Sequence, residues 1–229
     1  MAVADSGGEG GSIDWVRRHR LLERLEHERL VVVRDFLPPD EADRLLGCLE
    51  RHSDWNAFQG GAFALSPLER FPGLRSLRCL LHALGAGMLP MFSAGKYTSG
   101  GGLPRHNDMA YVNAVWGDGH VELHSRAYAF VHYLTRDWRE DDGGLFVDME
   151  TGATIVPAFN TLLAFKVPLE HRVTPVASGR TRYSIFGWWL RPGRCYDMPS
   201  SKPPQHWPIP REYLGSGPRP QARLRKVWS

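Results

Sequence analysis

The chain has 229 residues and a formal net charge of +3, a length that suits one domain with a sizeable core. Hydrophobic residues make up 42% and aromatics 11%, which excludes a disordered chain, and no run approaches the ~20 apolar residues that a membrane helix requires. The basic residues thicken only at 17–20 and 219–226, too sparsely for a phosphate-binding face, so no nucleic-acid partner is expected.

The opening MAVADSGGEGGS lacks the basic and apolar regions of a signal peptide, so a cytoplasmic protein is expected. Cys48, Cys79 and Cys195 are odd in number and unclustered, which fits reduced thiols buried as small apolar residues better than a disulfide framework or a zinc site. Nothing in the sequence speaks to oligomeric state.

Residues 1–12 are Gly-rich and read as a disordered tail. Over 13–28, Ile13, Val16, Leu21, Leu22 and Leu25 recur at helical spacing and predict one amphipathic helix. The β-branched run Leu30–Phe36 predicts a strand, stopped by Pro38-Pro39-Asp40-Glu41, which caps a helix with apolar Ala42, Leu45, Leu46 and Leu49. Residues 54–66 show no clean period; 74–84 are again helical in pattern.

From about residue 88 short apolar runs alternate with Gly, Pro and Asp: 89–97, 126–134, 145–148, 153–156, 161–167, 171–176 and 182–190. Many short strands at such spacing predict an antiparallel sandwich or jelly roll, with the earlier helices on one outer face. We expect a single domain over 13–195, its core at 88–191, and a Pro-rich, basic segment over 196–229 that wraps the surface.

The chemistry concentrates in that core. His106 and Asp108 are two apart, so on an extended segment both side chains leave one face and can share an ion. His171 opens another strand and supplies a third ligand. Two imidazoles and one carboxylate form a facial triad that suits iron(II) and leaves positions for a bidentate co-substrate and dioxygen. The ligands cancel one of the two positive charges, so anionic 2-oxoglutarate is electrostatically favoured. Its far carboxylate needs a fixed cation: Arg182, which shares a strand face with Ser184, Phe186 and Trp188, is preferred, and Arg180, of the same parity, is the competitor.

Tyr97, His106-Asn107-Asp108, Tyr133-Leu134-Thr135-Arg136-Asp137-Trp138, Gly143-Gly144, His171-Arg172-Val173 and Arg182-Tyr183-Ser184-Ile185 with Trp188 together resemble the prolyl 4-hydroxylase-like branch of the iron(II) and 2-oxoglutarate dioxygenases. The resemblance covers roughly 88–191, plus the Asp35-Phe36-Leu37 opening. It implies a double-stranded β-helix, iron on His106, Asp108 and His171, 2-oxoglutarate on Arg182, and phenol donors at Tyr97 and Tyr133. It also implies hydroxylation of an aliphatic C–H of an amino acid, a peptide or protein prolyl-type residue, or another small molecule, as 2-oxoglutarate decarboxylates to succinate. The sequence departs from the family at Asn160, where the pattern often has Gly, and in the length of 109–125.

That segment reads equally as a surface loop or a substrate lid, with Tyr111, Asn113, Trp116 and the following Arg126 as candidate substrate contacts. On a strand His120 and His124 stand about 13 Å apart, too far to share a metal, and are read as surface or lid residues. His132 faces away from Tyr133 and is read as structural. A tailoring oxygenase of the same chemistry and a non-catalytic sensing relative are the alternatives; the second would have lost a ligand or the arginine, and neither loss is seen.

Overall fold

The structure is a computed structural model that describes residues 8–198 and 202–213. Its elements in chain order are α1 (Gly8–Arg17), α2 (Leu21–His27), β1 (Leu30–Val33), α3 (Pro39–Arg51), β2 (Asn56–Phe58), β3 (Phe63–Pro67), α4 (Arg75–Leu84) and β4 (Leu89–Tyr97). There follow β5 (Leu103–His106), β6 (Tyr111–Val115), β7 (Val121–Tyr133), β8 (Phe146–Asp148), β9 (Thr154–Ile155), β10 (Thr161–Lys166), β11 (His171–Val173), β12 (Arg182–Pro192) and β13 (Gln205–Pro208).

Among the described residues a nine-stranded sheet runs β1-β10-β7-β12-β4-β3-β2, with β6 paired to β7 and β13 to β6, and a four-stranded sheet runs β5-β11-β8-β9. Strand parity builds two layers from it. Leu162 and Ala164 of β10, Phe130 of β7 and Ile185 and Trp189 of β12 face α1–α4 and join Leu25, Leu45, Leu49, Leu77 and Leu81 in the largest apolar cluster. Their neighbours Leu163, Phe165, Ala129 and Tyr133 turn the other way and meet Phe146 of the small sheet. Burying each helix leucine contributes about 1.5–3 kcal/mol, so the helical layer fixes the large sheet from behind and leaves its front to the small sheet.

The mainly β, helix-backed architecture is the one expected, and β4 and α3 fall where periodicity placed them. Several local expectations fail. The helix expected over 13–28 is two helices, because Arg20 adopts a left-handed conformation (φ 49) between α1 and α2. α1 begins at Gly8, inside the stretch read as a disordered tail; residues 1–7 and the basic run at 219–226 lie outside the described residues. The 109–125 segment is neither loop nor lid over most of its length: β6 pairs antiparallel with β7, and β13 adds a parallel strand to β6. Cys79 and Cys195 are exposed and Cys48 half-buried, so the thiols are not core residues.

Asn160 explains its departure from glycine. It sits at φ 55, where glycine is the usual residue and asparagine the next. Its amide donates to the Leu37 carbonyl (2.8 Å) and its Oδ1 accepts from Leu37 N (3.1 Å), which ties the turn before β10 to the β1–α3 connection. The same oxygen accepts from His132 Nε2 at 3.1 Å. His132 does turn away from Tyr133, but into the helical layer rather than to solvent; burial pushes its pKa down to about 4.

Candidate metal centre

β5 and β11 pair with His106 directly opposite His171, which sets the imidazoles beside each other with ring centroids 4.1 Å apart. After His106 the chain leaves the strand, and Asp108 takes φ 61. The two-residue spacing therefore converges through a left-handed turn and not, as expected, through strand parity. The Asp108 carboxylate faces both rings, Oδ1 at 3.6 Å from His106 Nε2 and Oδ2 at 3.7 Å from His171 Nε2. One donor atom from each of the three residues lies within 4.8 Å of the others.

Each imidazole is oriented for a cation. His106 Nδ1 is 2.7 Å from the Pro104 carbonyl and His171 Nδ1 is 2.8 Å from that of Leu169. A carbonyl only accepts, so both protons sit on Nδ1 and both Nε2 lone pairs face Asp108. His171 is buried between Phe146, stacked at 4.9 Å, and Phe165, edge-on at 4.9 Å. Burial holds its pKa below the ordinary value, against the pull of Asp108, and so keeps the ring neutral as a ligand must be.

Arg182 enters from β12, opposite Tyr97 of β4, and Ser184 lies opposite Tyr133 of β7. Only 2% of Arg182 is exposed. Its guanidinium lies 4.1 Å from the Tyr97 ring centre and 5.5 Å from that of Tyr133 and donates to the Gly144 carbonyl, while its Nε is buried without a partner. A buried guanidinium with an unused donor fits a carboxylate better than any group now around it. Gly144 permits this approach: at φ +63, a Cβ there would stand 3.2 Å from Arg182 Nη1. Burial raises the Tyr97 and Tyr133 phenols to about 12, so both are O–H donors at neutral pH. Arg180 lies outside, spent on the Asp137 and Arg136 carbonyls (2.8 and 2.6 Å) and Asp142.

These side chains line one cavity of about 270 Å³, which also receives Arg126 and Trp188. Arg126 Cζ stacks 3.5 Å above the Trp188 ring. The cavity thus gathers His106, Asp108, His171, Arg182, Tyr97, Tyr133, Ser184, Trp188 and Arg126, but not Tyr111, Asn113 or Trp116. Tyr111 donates its hydroxyl to the Tyr196 carbonyl, Asn113 faces His206 across the β6–β13 pair, and Trp116 packs in a separate cluster with Val112 and Ile209. His124, expected at the surface, is 2% exposed within β7. The apolar wall also includes Phe186, which parity with Arg182 marked, Leu103, which the sequence did not reveal, and Phe63 and Leu65, hidden because 54–66 carry no periodic signal.

Residues 92–190 match the profile of the 2OG-Fe(II) oxygenase superfamily. That stretch, which is similar to the superfamily, makes up less than half of the chain. Prolyl 3-hydroxylase OGFOD1 of Xenopus laevis is 35% identical over 100 residues, which cover 36% of this chain and 20% of that protein. The match thus spans about a fifth of that relative's length. A Pseudomonas putida prolyl-4-hydroxylase superposes with a TM-score of 0.55 at 22% identity, covering 76% of this chain and 98% of that one. A Trichoplax adhaerens prolyl hydroxylase, solved with a hypoxia inducible factor peptide, gives 0.60 at 16% identity over 77% and 90%. The fold shared with these structures is the double-stranded β-helix.

Proposed function

We propose that the protein is an iron(II)- and 2-oxoglutarate-dependent hydroxylase of a prolyl-type residue in a peptide or protein. The observation that carries the reading is one cavity lined both by the His106, Asp108 and His171 donors and by the partner-poor Arg182 beside two protonated phenols.

His106 and His171 offer Nε2 to the cation, their Nδ1 protons fixed on backbone carbonyls, and Asp108 offsets one charge. Arg182 receives the far carboxylate of 2-oxoglutarate, and Tyr97 and Tyr133 donate to the same co-substrate. Phe146 and Phe165 keep water from His171. Iron(II) held by His106, Asp108 and His171, with 2-oxoglutarate on Arg182, would supply dioxygen activation, with one oxygen atom ending in a substrate hydroxyl and the other in succinate as carbon dioxide is released.

The prolyl-type substrate is supported by the OGFOD1 similarity and by the cavity itself. About 270 Å³ lies below the range typical of drug-sized ligands. Shared with 2-oxoglutarate, that volume suits a small side chain inserted from outside, against Phe63, Leu65 and Phe186.

The test is succinate release, with iron(II) and under air, against proline-containing peptides, free proline and unrelated amino acids, with mass spectrometry of the substrate. A gain of one oxygen on a prolyl residue, coupled to succinate, is expected. Turnover confined to free amino acids or non-peptide compounds would overturn the substrate; none in metal-loaded protein, across all classes and cell extract, would overturn the hydroxylase.

A further inference from the structure

β12 ends at Pro192, just beyond the superfamily match, and the residues that follow return to the metal centre. Ser125 Oγ donates to the Gly193 carbonyl (2.7 Å) and accepts from Cys195 N (3.0 Å), which pins the returning chain beside β7. Tyr196 then lies parallel to Tyr111, ring centres 5.9 Å apart and 9° between planes. Its hydroxyl accepts from Ala110 N (3.1 Å) and shares its proton between the carbonyls of Ala110 (3.0 Å) and Arg126 (3.2 Å).

Ala110 is two residues past Asp108, whose φ of 61 lies in the left-handed region that side chains other than glycine seldom adopt. Such a conformation persists only where its surroundings fix it. Here the fixing contacts include Met109 N on Asn107 Oδ1 (3.2 Å), Ala110 N on the Tyr196 hydroxyl, Arg126 N on the Ala110 carbonyl (3.2 Å), and a long 3.5 Å approach of Arg126 Nη1 to the Asp108 carbonyl. The last is itself held from the C-terminal segment, because Gln205 Oε1 accepts from Arg126 Nη2 at 3.2 Å.

We propose that Tyr196 is a positioning residue for the metal centre: acting through Ala110 and Arg126, its hydroxyl holds the Asp108 turn so that the carboxylate faces His106 and His171. The inference rests on the metal reading above. Its consequence is that Tyr196 and Gln205, outside the superfamily match, complete the site, so the chain after β12 is not a mere surface wrap.

The test uses cobalt(II) as probe, bound to the whole chain without co-substrate. Tyr196→Phe keeps the ring stack and removes only the hydroxyl; loss of a group that orients a metal ligand is expected to weaken cobalt(II) about 10- to 100-fold and to change its visible absorption. Asn160→Ala, which removes hydrogen bonds remote from the metal, is the stability control and is expected to keep wild-type affinity. Tyr196→Phe within twofold of wild type, or equal losses in both variants, would overturn the positioning role and leave the metal reading standing. No cobalt(II) binding by wild type would overturn the metal reading itself. If Tyr196→Phe does not fold, Ser125→Ala frees the same segment without touching the Asp108 turn; a weaker site is expected, and unchanged affinity would overturn the proposal.

Discussion

Replacing Arg182 with alanine is the sharpest probe of the proposed co-substrate site, because Arg180, two residues away, provides its own control. Arg182 is 2% exposed, carries an unpartnered Nε and lines the cavity. A carboxylate bound there gives up water for the guanidinium; without the guanidinium it stays buried and unpaired, a loss of about 3–5 kcal/mol. That is roughly two to four decades in affinity. Arg180 is exposed and bonded to the Asp137 and Arg136 carbonyls, so its removal is expected to change affinity by no more than about twofold. Calorimetric titration of 2-oxoglutarate into metal-loaded protein under nitrogen measures both. Arg182→Ala is expected to keep its metal, since Arg182 contacts none of the three ligands. Loss of 2-oxoglutarate binding in Arg180→Ala with retention in Arg182→Ala would refute the assignment.

Three further outcomes follow from the geometry. Gly144→Ala strains a position at φ +63 and presses on Arg182 Nη1, so 2-oxoglutarate affinity in the same titration is expected to fall about tenfold, with stability lower by about 1–2 kcal/mol; wild-type behaviour would contradict it. His132 is neutral in the fold down to about pH 4 but gains its proton near 6.5 when unfolded, so its contribution to stability falls as pH drops from 6.5 to 4, by about 3 kcal/mol in all. His132→Gln is therefore expected to lose less stability than wild type between pH 7 and 4.5 in urea titrations, and equal losses would count against a buried neutral ring. Asn160→Gly keeps the left-handed turn but loses the bonds to Leu37, whereas Asn160→Ala loses both; a stability loss from denaturant midpoints about 1 kcal/mol larger for alanine is expected, and equal losses would remove the conformational part of the explanation.

What could be read from the sequence was set by period-two patterns on long strands. Along β12 the two-residue period put Arg182, Ser184 and Trp188 in one cavity, while the turn signal Ser178-Gly179, which leaves Arg180 nearer the sheet end, ranked Arg182 above an Arg180 of the same parity. It also separated Tyr133 from His132, although it could not show that helices cover the second face. The misses have local causes. Asp108 reaches the histidines through a left-handed turn, which a two-residue spacing does not reveal. β13 is four residues long among prolines and pairs in parallel with β6, so it carried no usable period, whereas the alternation read around His120 and His124 does fall largely on β7. Tyr111, Asn113 and Trp116 were chosen for lying soon after the metal ligands in sequence, but β6 carries them away from the cavity while Arg126 on β7 returns to it. Tyr196 is 88 positions along the chain from Asp108 only in numbering; its bond to Ala110 depends on the path after β12, which no local pattern announces.

Whether His106, Asp108 and His171 hold iron(II) beside a 2-oxoglutarate seat is tested most directly by the visible spectrum of the protein under nitrogen. Adding 2-oxoglutarate to the iron(II)-loaded chain is expected to give a weak metal-to-ligand charge-transfer band, absent from correctly folded His171→Ala. No band in folded wild-type protein, or an undiminished band in His171→Ala, would contradict the account.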